Sequence, residues 1–513
     1  MLVGAVALLL AAPWLRARQE PPPGRAFAGA FFYQDDHRQY LSFVEQAARG
    51  EWLFVNKFDP QPQRPFLFNA GWWVAGRAAS LSRAPLEVAW FAWGLVASAL
   101  LVLGVRRLLA LSGRTGAARD WGTILVLLGG GLGWARLAAG TPWAQVADLT
   151  FGFYPWLQMI AGAHGTLGTA LLVWALALHV EWRRDGAARW PWVLVGSLLG
   201  LCRPFDFAAL VLVAGAVSAL DRFHGRRDTS GADLAWLAPV LFYDGLAYGL
   251  HPSFASWSGA QNTVPLPGAA ALFWALGPVL VPSAVALARG GIDPTLRATV
   301  GAWIVVAAAF LFSGLGFASQ FATSLGTALL LAVALGARGR WLPALALGLS
   351  PTALVLYWRI LNPVPEWFPP QDYLAAARLL APECAPGDVV FAPSEPSLFV
   401  AAFTPCQTAF GHRVLTPRFE ERAAESEVFF AEATSATWRG RYLAGLGARF
   451  VMIPAGRGHW LDATAFRPRW RFARFEVWER SPTDGLSTPG RRRPRGLSGR
   501  CRRRAPPRDL PSG

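Results

Sequence analysis

Long apolar runs recur along this chain, and they limit what it can fold into. They lie at roughly 2–15, 86–109, 120–136, 157–181, 232–250, 270–289, 298–313, 317–336 and 341–361. Two shorter ones, 190–201 and 205–220, flank the charged stretch "CRPFD". A helix needs about 17–25 such residues to cross a bilayer. Charged residues are only 16% of the chain and hydrophobic ones 53%, with 25 Trp and a mean hydropathy of +0.31. A soluble domain carries about 25% charge. The expectation is a polytopic α-helical membrane protein of about nine to eleven spans.

The formal net charge of +16 is not a nucleic-acid footprint. Residues 481–513 hold nine Arg against two Asp, a net +7 in a stretch of low hydrophobicity that reads as a disordered basic tail. Lys57 is the only lysine. The N-terminal "MLVGAVALLLAAPWLRAR" has no basic residues ahead of its apolar stretch, so it reads as a short first span rather than a signal peptide. Four cysteines occur, none with zinc-ligand spacing. Cys202 lies in an apolar run; Cys384 and Cys406 fall in the C-terminal part, where an oxidising compartment would allow them to pair.

Short loops rich in arginine (106–119, 183–189, 222–227, 289–297 and 338–340) alternate with loops nearly free of it (137–156, 251–268 and 314–317). The two sets alternate consistently if 190–220 is a hairpin that returns to its starting side. Basic short loops face the cytoplasm. The long loop 16–85 and everything after Leu361 then lie outside. Beyond Leu361 the composition changes. "DYLAAARLL" and "RFEERAAESEVFFAEA" read as helices, "GDVVFAP" and "ARFVMIPAG" as buried strands, and "WRFARFEVWER" as an alternating edge strand. The expected organisation is a membrane domain over 1–362, a small extracytoplasmic α/β domain over 363–480, and the tail.

The external loop opens with "FFYQDDHRQYLSF". Apolar residues at Tyr40, Phe43, Val44 and Ala47 have helical spacing, so Asp35 and Asp36 stand at the head of an amphipathic helix. Taken alone, the pair suits an N-cap as well as proton abstraction or cation binding. Other polar residues in apolar surroundings are His164, Arg203, Asp206, Asp244 and, in the external segments, His251, Gln261, Asn262, His412 and Arg413. Ionisable groups are costly inside a membrane and are either paired or functional there.

The order of a first span, an external loop opening on an acidic pair, amphipathic helices, further spans and an external C-terminal domain resembles the GT-C superfamily of membrane glycosyltransferases. "DDHRQYLSFVEQAARGEWLFVNKF" and "FGHRVLTPRF" followed by "EVFF" are similar to bacterial members of that group. The resemblance is architectural over 1–480 and motif-level at 35–58 and 410–430. It implies a hexosyl- or pentosyltransferase in the bacterial cytoplasmic membrane. Such an enzyme moves sugar from a polyprenyl-phosphate donor to a lipid, glycan or protein acceptor on the outer side. It implies Asp35 and Asp36 as catalytic, with Asp35 at the first acidic position of the motif. His164, Arg203, His251 and His412 are the candidate substrate-binding residues. The resemblance leaves a divalent metal open, and the sequence shows no ligand set beyond the acidic pair. The competing readings are a transporter or flippase of a lipid-linked sugar and a non-catalytic envelope assembly protein. No Walker A, G-x-S-x-G or HExxH motif is present.

Overall fold

The computed structural model describes residues 1–225, 234–257, 259–289 and 291–481. The basic tail therefore lies outside the described residues, apart from Ser481. The chain is a polytopic helical membrane protein with a small C-terminal sheet. Its N-terminal half carries α1 (Leu2–Gln19), α2 (Gln34–Ala48), α3 (Ala70–Ser82), α4 (Leu86–Leu111), α5 (Gly116–Leu128), α6 (Gly133–Ala138), α7 (Ala147–Thr150), α8 (Pro155–Ala161), α9 (Ala163–Asp185), α10 (Trp190–Gly200) and α11 (Pro204–Phe223). Then come α12 (Ala238–Asp244), α13 (Ala269–Ala288), α14 (Pro294–Leu311), α15 (Ala322–Gly336), α16 (Leu342–Leu349) and α17 (Pro351–Leu361).

Among the described residues, six helices are long and apolar enough to cross a membrane: α4, α9, α11, α13, α14 and Ala318–Gly336. A seventh is the pair α16–α17, bent by 43°. This is fewer than the nine to eleven expected, and each shortfall has a local cause. The run 120–136 stops at Gly129, because the chain there leaves the helix and passes against Leu125 and Leu330, and then against the Ala275 carbonyl at Gly131. The run 232–250 ends in a seven-residue helix and a π turn (Gly245–Leu250). α1 reaches 18 residues but closes on Arg16 and Arg18. The 190–220 segment is a short helix of 11 residues and a full-length one of 20, broken at Leu201–Arg203. Gly196 seats Leu210 and Gly200 seats Phe207, so α10 and α11 pack directly on each other.

The C-terminal part has α18 (Gln371–Leu380), β1 (Val389–Phe391), α19 (Ser394–Phe403), β2 (Gln407–Thr408), α20 (Phe419–Phe430), α21 (Ala436–Gly445), β3 (Ala448–Pro454), β4 (Phe466–Arg471) and β5 (Phe475–Arg480). The sheet order is β2-β1-β3-β5-β4, with β1 parallel to β2 and β3 and the rest antiparallel. "WRFARFEVWER" is not one edge strand. It turns at Phe472–Arg474, so its second half becomes β5, an inner and almost wholly buried strand, and only β4 remains at the edge. The turn lets Phe475 and Val477 enter the core beside Phe450 and Met452. Cys384 and Cys406 form a disulfide that ties the end of α18 to β2.

The 16–85 segment and the C-terminal sheet unit share one core. Phe43 lies flat on Trp72 (4.4 Å, 9°) and packs with Phe54, Phe254, Leu398 and Leu415. Full burial of each large apolar side chain stabilises by about 1.5–3 kcal/mol. Lys57 is sealed inside this joint. Its Nζ is ion-paired with Glu45 and donates to the carbonyls of Ala401 (3.0 Å) and Thr404 (2.7 Å) at the end of α19. Those carbonyls have no partner within their own helix, so the lysine caps it.

Candidate functional site

The site starts from an unusual residue. Tyr33, just before α2, holds left-handed backbone angles (φ 48°, ψ 48°). That conformation costs a non-glycine residue about 1–3 kcal/mol and persists where neighbours over-determine it. Here the Tyr33 hydroxyl donates to the Thr150 carbonyl (3.0 Å) and its carbonyl accepts from His37 N–H (2.9 Å). The bend starts α2 at Gln34, one residue ahead of the acidic pair. Neither Asp is the N-cap: Asp35 and Asp36 sit inside the first turn, where the helix dipole favours negative charge.

Successive residues on a helix point about 100° apart, and that angle separates the two acids. Asp35 is 70% exposed and pairs with Arg38 (3.3 Å), whose guanidinium also donates to Gln34 Oε1 (2.8 Å) and lies over the Phe399 ring. Asp36 faces a cavity of about 310 Å³, together with Gln39 and Tyr40 from the same helix face. Asp36, and not Asp35, opens into this space.

Several elements meet around the cavity: Trp72 of α3, Trp90 of α4, Gln158 of α8, His164 and Gly165 of α9, the hairpin tip Cys202–Phe205, Trp257 and Asn262 of the 251–268 loop, Gln320 and Thr323, and His412 of the C-terminal part. Arg203 is buried at the tip, in the extended conformation that a residue before proline favours. It is ion-paired with Asp206 (3.2 Å), donates from Nη1 to the Gly165 carbonyl (3.2 Å), and reaches Gln320 Oε1 (3.4 Å). Gly165 and Gly168 on α9 make its slot. A Cβ on Gly168 would overlap Arg203 Cδ and Asp206 Oδ2, and one on Gly165 would press on Gln158 and Arg203.

His164 lies against Tyr40 (4.5 Å between ring centres) and Trp72 (5.6 Å). His412 Nε2 is 3.1 Å from Asp36 Oδ1. His251 is elsewhere: it stacks on Phe66 (5.0 Å, 18°) outside the cavity lining. Asn262 lines the cavity, while Gln261 ties its loop to the Arg413 and Thr416 carbonyls. Asp244 is buried but does not line the cavity.

Burial dominates the electrostatics of the α2 turn. It pushes the His37 imidazole down to about 3, helped by the neighbouring Arg38, so this ring is neutral at physiological pH. Burial, with Asp36 close by, raises the Tyr33 and Tyr40 phenols well above their ordinary value. Both remain hydrogen-bond donors and neither is an acid at neutral pH. Among the described residues no three His, Cys, Asp or Glu side chains converge as a metal site. Among the described residues Asp36 is the only carboxylate lining the cavity, so a divalent cation there would need further oxygen ligands from water or a substrate phosphate.

Gln158, Gln320, Trp72 and Trp90 were not singled out from the sequence. A signal was present for the amides: each is a lone amide in an apolar run, "PWLQMI" and "FASQFATS". Trp72 and Trp90 look like any interfacial tryptophan until the helices are assembled.

No protein-family model matches the chain, and no curated protein matches it significantly. Solved structures do. Arabinofuranosyltransferase AftD from Mycobacteria has a TM-score of 0.55 at 15% identity, over 93% of this chain and 39% of its own. ArnT from Cupriavidus metallidurans bound to undecaprenyl phosphate has a TM-score of 0.53 at 12% identity, over 94% of this chain and 98% of its own. The Archaeoglobus fulgidus oligosaccharyltransferase has a TM-score of 0.50 at 11% identity, over 94% of this chain and 75% of its own. This chain thus spans about two fifths of the AftD chain and nearly all of ArnT. It shares its fold with these three structures.

Proposed function

We propose that this protein transfers a sugar from a polyprenyl-phosphate donor to a hydroxyl-bearing lipid, glycan or protein acceptor, with inversion at the anomeric carbon. The observation that carries the reading is Asp36 opening into a cavity that also holds the buried Arg203. Asp36 is the general base. It takes the proton of the acceptor hydroxyl as that oxygen bonds to the anomeric carbon, and the bond from that carbon to the donor phosphate breaks. The polyprenyl phosphate leaves with the electron pair of that bond. Arg203, kept in place by Asp206 and the α9 glycines, faces the charge that develops on the leaving phosphate. Fixed donors of this kind favour the transition state more than the ground state. The mechanism routes no step through a metal.

The chain acts on the outer face of the bacterial cytoplasmic membrane in this reading. Two observations support that placement. The Cys384–Cys406 disulfide suits an oxidising compartment, and the C-terminal part that carries it also contributes His412 to the cavity.

The test compares single substitutions of the two acids in reconstituted membranes, following labelled sugar from polyprenyl phosphate into acceptor. Asp36→Asn should lower turnover by about 10²–10⁴-fold, the usual contribution of general base catalysis. Asp35→Asn should stay within a few-fold of the parent. Full activity in the Asp36 variant sinks the assignment.

A further inference from the structure

The closest polar neighbour of Asp36 comes from a distant part of the chain. His412 belongs to the segment between β2 and α20, 376 residues away, yet its Nε2 lies 3.1 Å from Asp36 Oδ1. Its other ring nitrogen is also engaged. Two backbone N–H groups, of Val414 (3.2 Å) and Leu415 (3.3 Å), point at Nδ1. A nitrogen that accepts N–H bonds carries no proton, so the ring proton sits on Nε2. Nε2–H therefore donates to the carboxylate.

The ring is held there firmly. His412 is 4% exposed and packs against Phe58 (5.7 Å). Its turn is closed twice, by Thr416 N–H donating to the His412 carbonyl (2.8 Å) and by Gly411 N–H donating to Thr416 Oγ1 (3.2 Å). Gln261 fastens the same turn from the 251–268 loop. Upstream, Thr408 N–H donates to the Lys57 carbonyl (2.7 Å), which links β2 to the buried joint.

We infer that His412 is a positioning residue: its Nε2–H fixes one oxygen of Asp36, so that the other oxygen is directed at the acceptor hydroxyl. The role rests on the transferase reading and adds to it that the C-terminal part completes the active site. A carboxylate on a helix end otherwise rotates about its side-chain bonds. A hydrogen bond to one oxygen leaves one orientation, and a base must lie within hydrogen-bond reach of the proton it abstracts.

Two substitutions separate this role from packing. His412→Phe keeps an aromatic ring against Phe58 and loses the donor. His412→Gln loses the ring and keeps an N–H at similar reach. The expected result is that the Phe variant loses more than tenfold in kcat with unchanged KM for the polyprenyl-phosphate donor, while the Gln variant stays within tenfold of the parent. A Phe variant with parental kcat, or a Gln variant as poor as the Phe one, overturns the inference. Asp36→Asn in the same assay separates the two claims. If that variant is inactive and the Phe variant normal, only the positioning role fails; if it is fully active, the transferase reading fails.

A second measurement needs no turnover. With all seven histidines labelled with nitrogen-15, the resonance missing in His412→Gln identifies His412. It should show the tautomer with its proton on Nε2, and its Nε2 signal should move in Asp36→Asn. The opposite tautomer, or no response to that substitution, overturns the inference independently of activity.

Discussion

At the scale of single residues, one turn of helix decides the chemistry. The spacing visible at Tyr40, Phe43, Val44 and Ala47 runs back by four residues to Asp36, which lines the cavity, while Asp35 points outward and pairs with Arg38. Motif position pointed to Asp35, and only the folded turn shows that Asp36 is the acid facing the cavity. Arg203 makes a second residue-scale case. Arg203→Lys keeps the charge and loses the planar fork that reaches Asp206, Gly165 and Gln320 together. It should lower kcat by about tenfold or more, in line with about 1.5–3 kcal/mol for a hydrogen bond to a charged group, as read by steady-state transfer assays. His37 predicts a pH dependence of stability. The unfolded chain takes up a proton near 6.5, whereas the buried ring resists it until about 3. Stability is then complete above about pH 6.5 and falls as the pH drops through that window, by about 2 kcal/mol at pH 5. Thermal unfolding in nanodiscs at pH 7.5 and 5 should show this loss, and His37→Gln should remove most of it.

At the scale of elements, close approach between helices sets the geometry. Gly76 of α3 leaves no room for a Cβ beside the Val44 carbonyl and Ala47 of α2, so these two helices lie in backbone contact and present Trp72 and Asp36 to the same space. Gly168 of α9 leaves the space that the Arg203 and Asp206 side chains at the head of α11 fill. Gly168→Ala should push Arg203 and Asp206 from their slot. Overpacking of this kind costs about 1–3 kcal/mol, so the variant should fold with a lower Tm and lose transfer activity out of proportion to that loss. Normal kcat in a folded Gly168→Ala protein would show that the slot has no part in placing Arg203. These contacts were hard to read in advance. "HGTLGT" resembles many small-residue helix faces, and nothing in it says which side chain will lie against it. The hairpin 190–220 was readable because Pro204 and its flanking charges interrupt the apolar run.

At the scale of the whole molecule, the 16–85 segment and the C-terminal unit act as one body. Lys57 is its joint. Lys57→Met removes the partner of Glu45 and the cap of α19. Breaking a buried pair costs about 3–5 kcal/mol, and because Arg49 also contacts Glu45 (2.7 Å), the lower end applies. A Tm drop in intact protein checks it. The disulfide works on the same body: it closes a separation of 22 residues, for which chain entropy predicts about 3 kcal/mol. Cys384→Ser with Cys406→Ser should lower Tm in oxidising buffer and abolish the further drop that reductant causes in the parent. Equal Tm in both buffers for the parent would show that the bridge adds no stability.

Composition and run length by themselves determined that this chain lives in a membrane, because scarce charge and repeated apolar runs leave no soluble solution. Helical spacing placed the amphipathic α2, and the change of composition after Leu361 announced the α/β unit. The span count, the hairpin in "WRFARFEVWER" and the choice between Asp35 and Asp36 were decided only by the tertiary structure. So was the separation of His251 from His164, Arg203 and His412, which meet at one cavity. The reason is physical. Local pattern reports which face of an element is apolar. A site depends on which elements meet, and that is set by close approaches such as those at Gly76, Gly131 and Gly168 and by long-range partners such as Lys57 with Ala401 and Asp36 with His412.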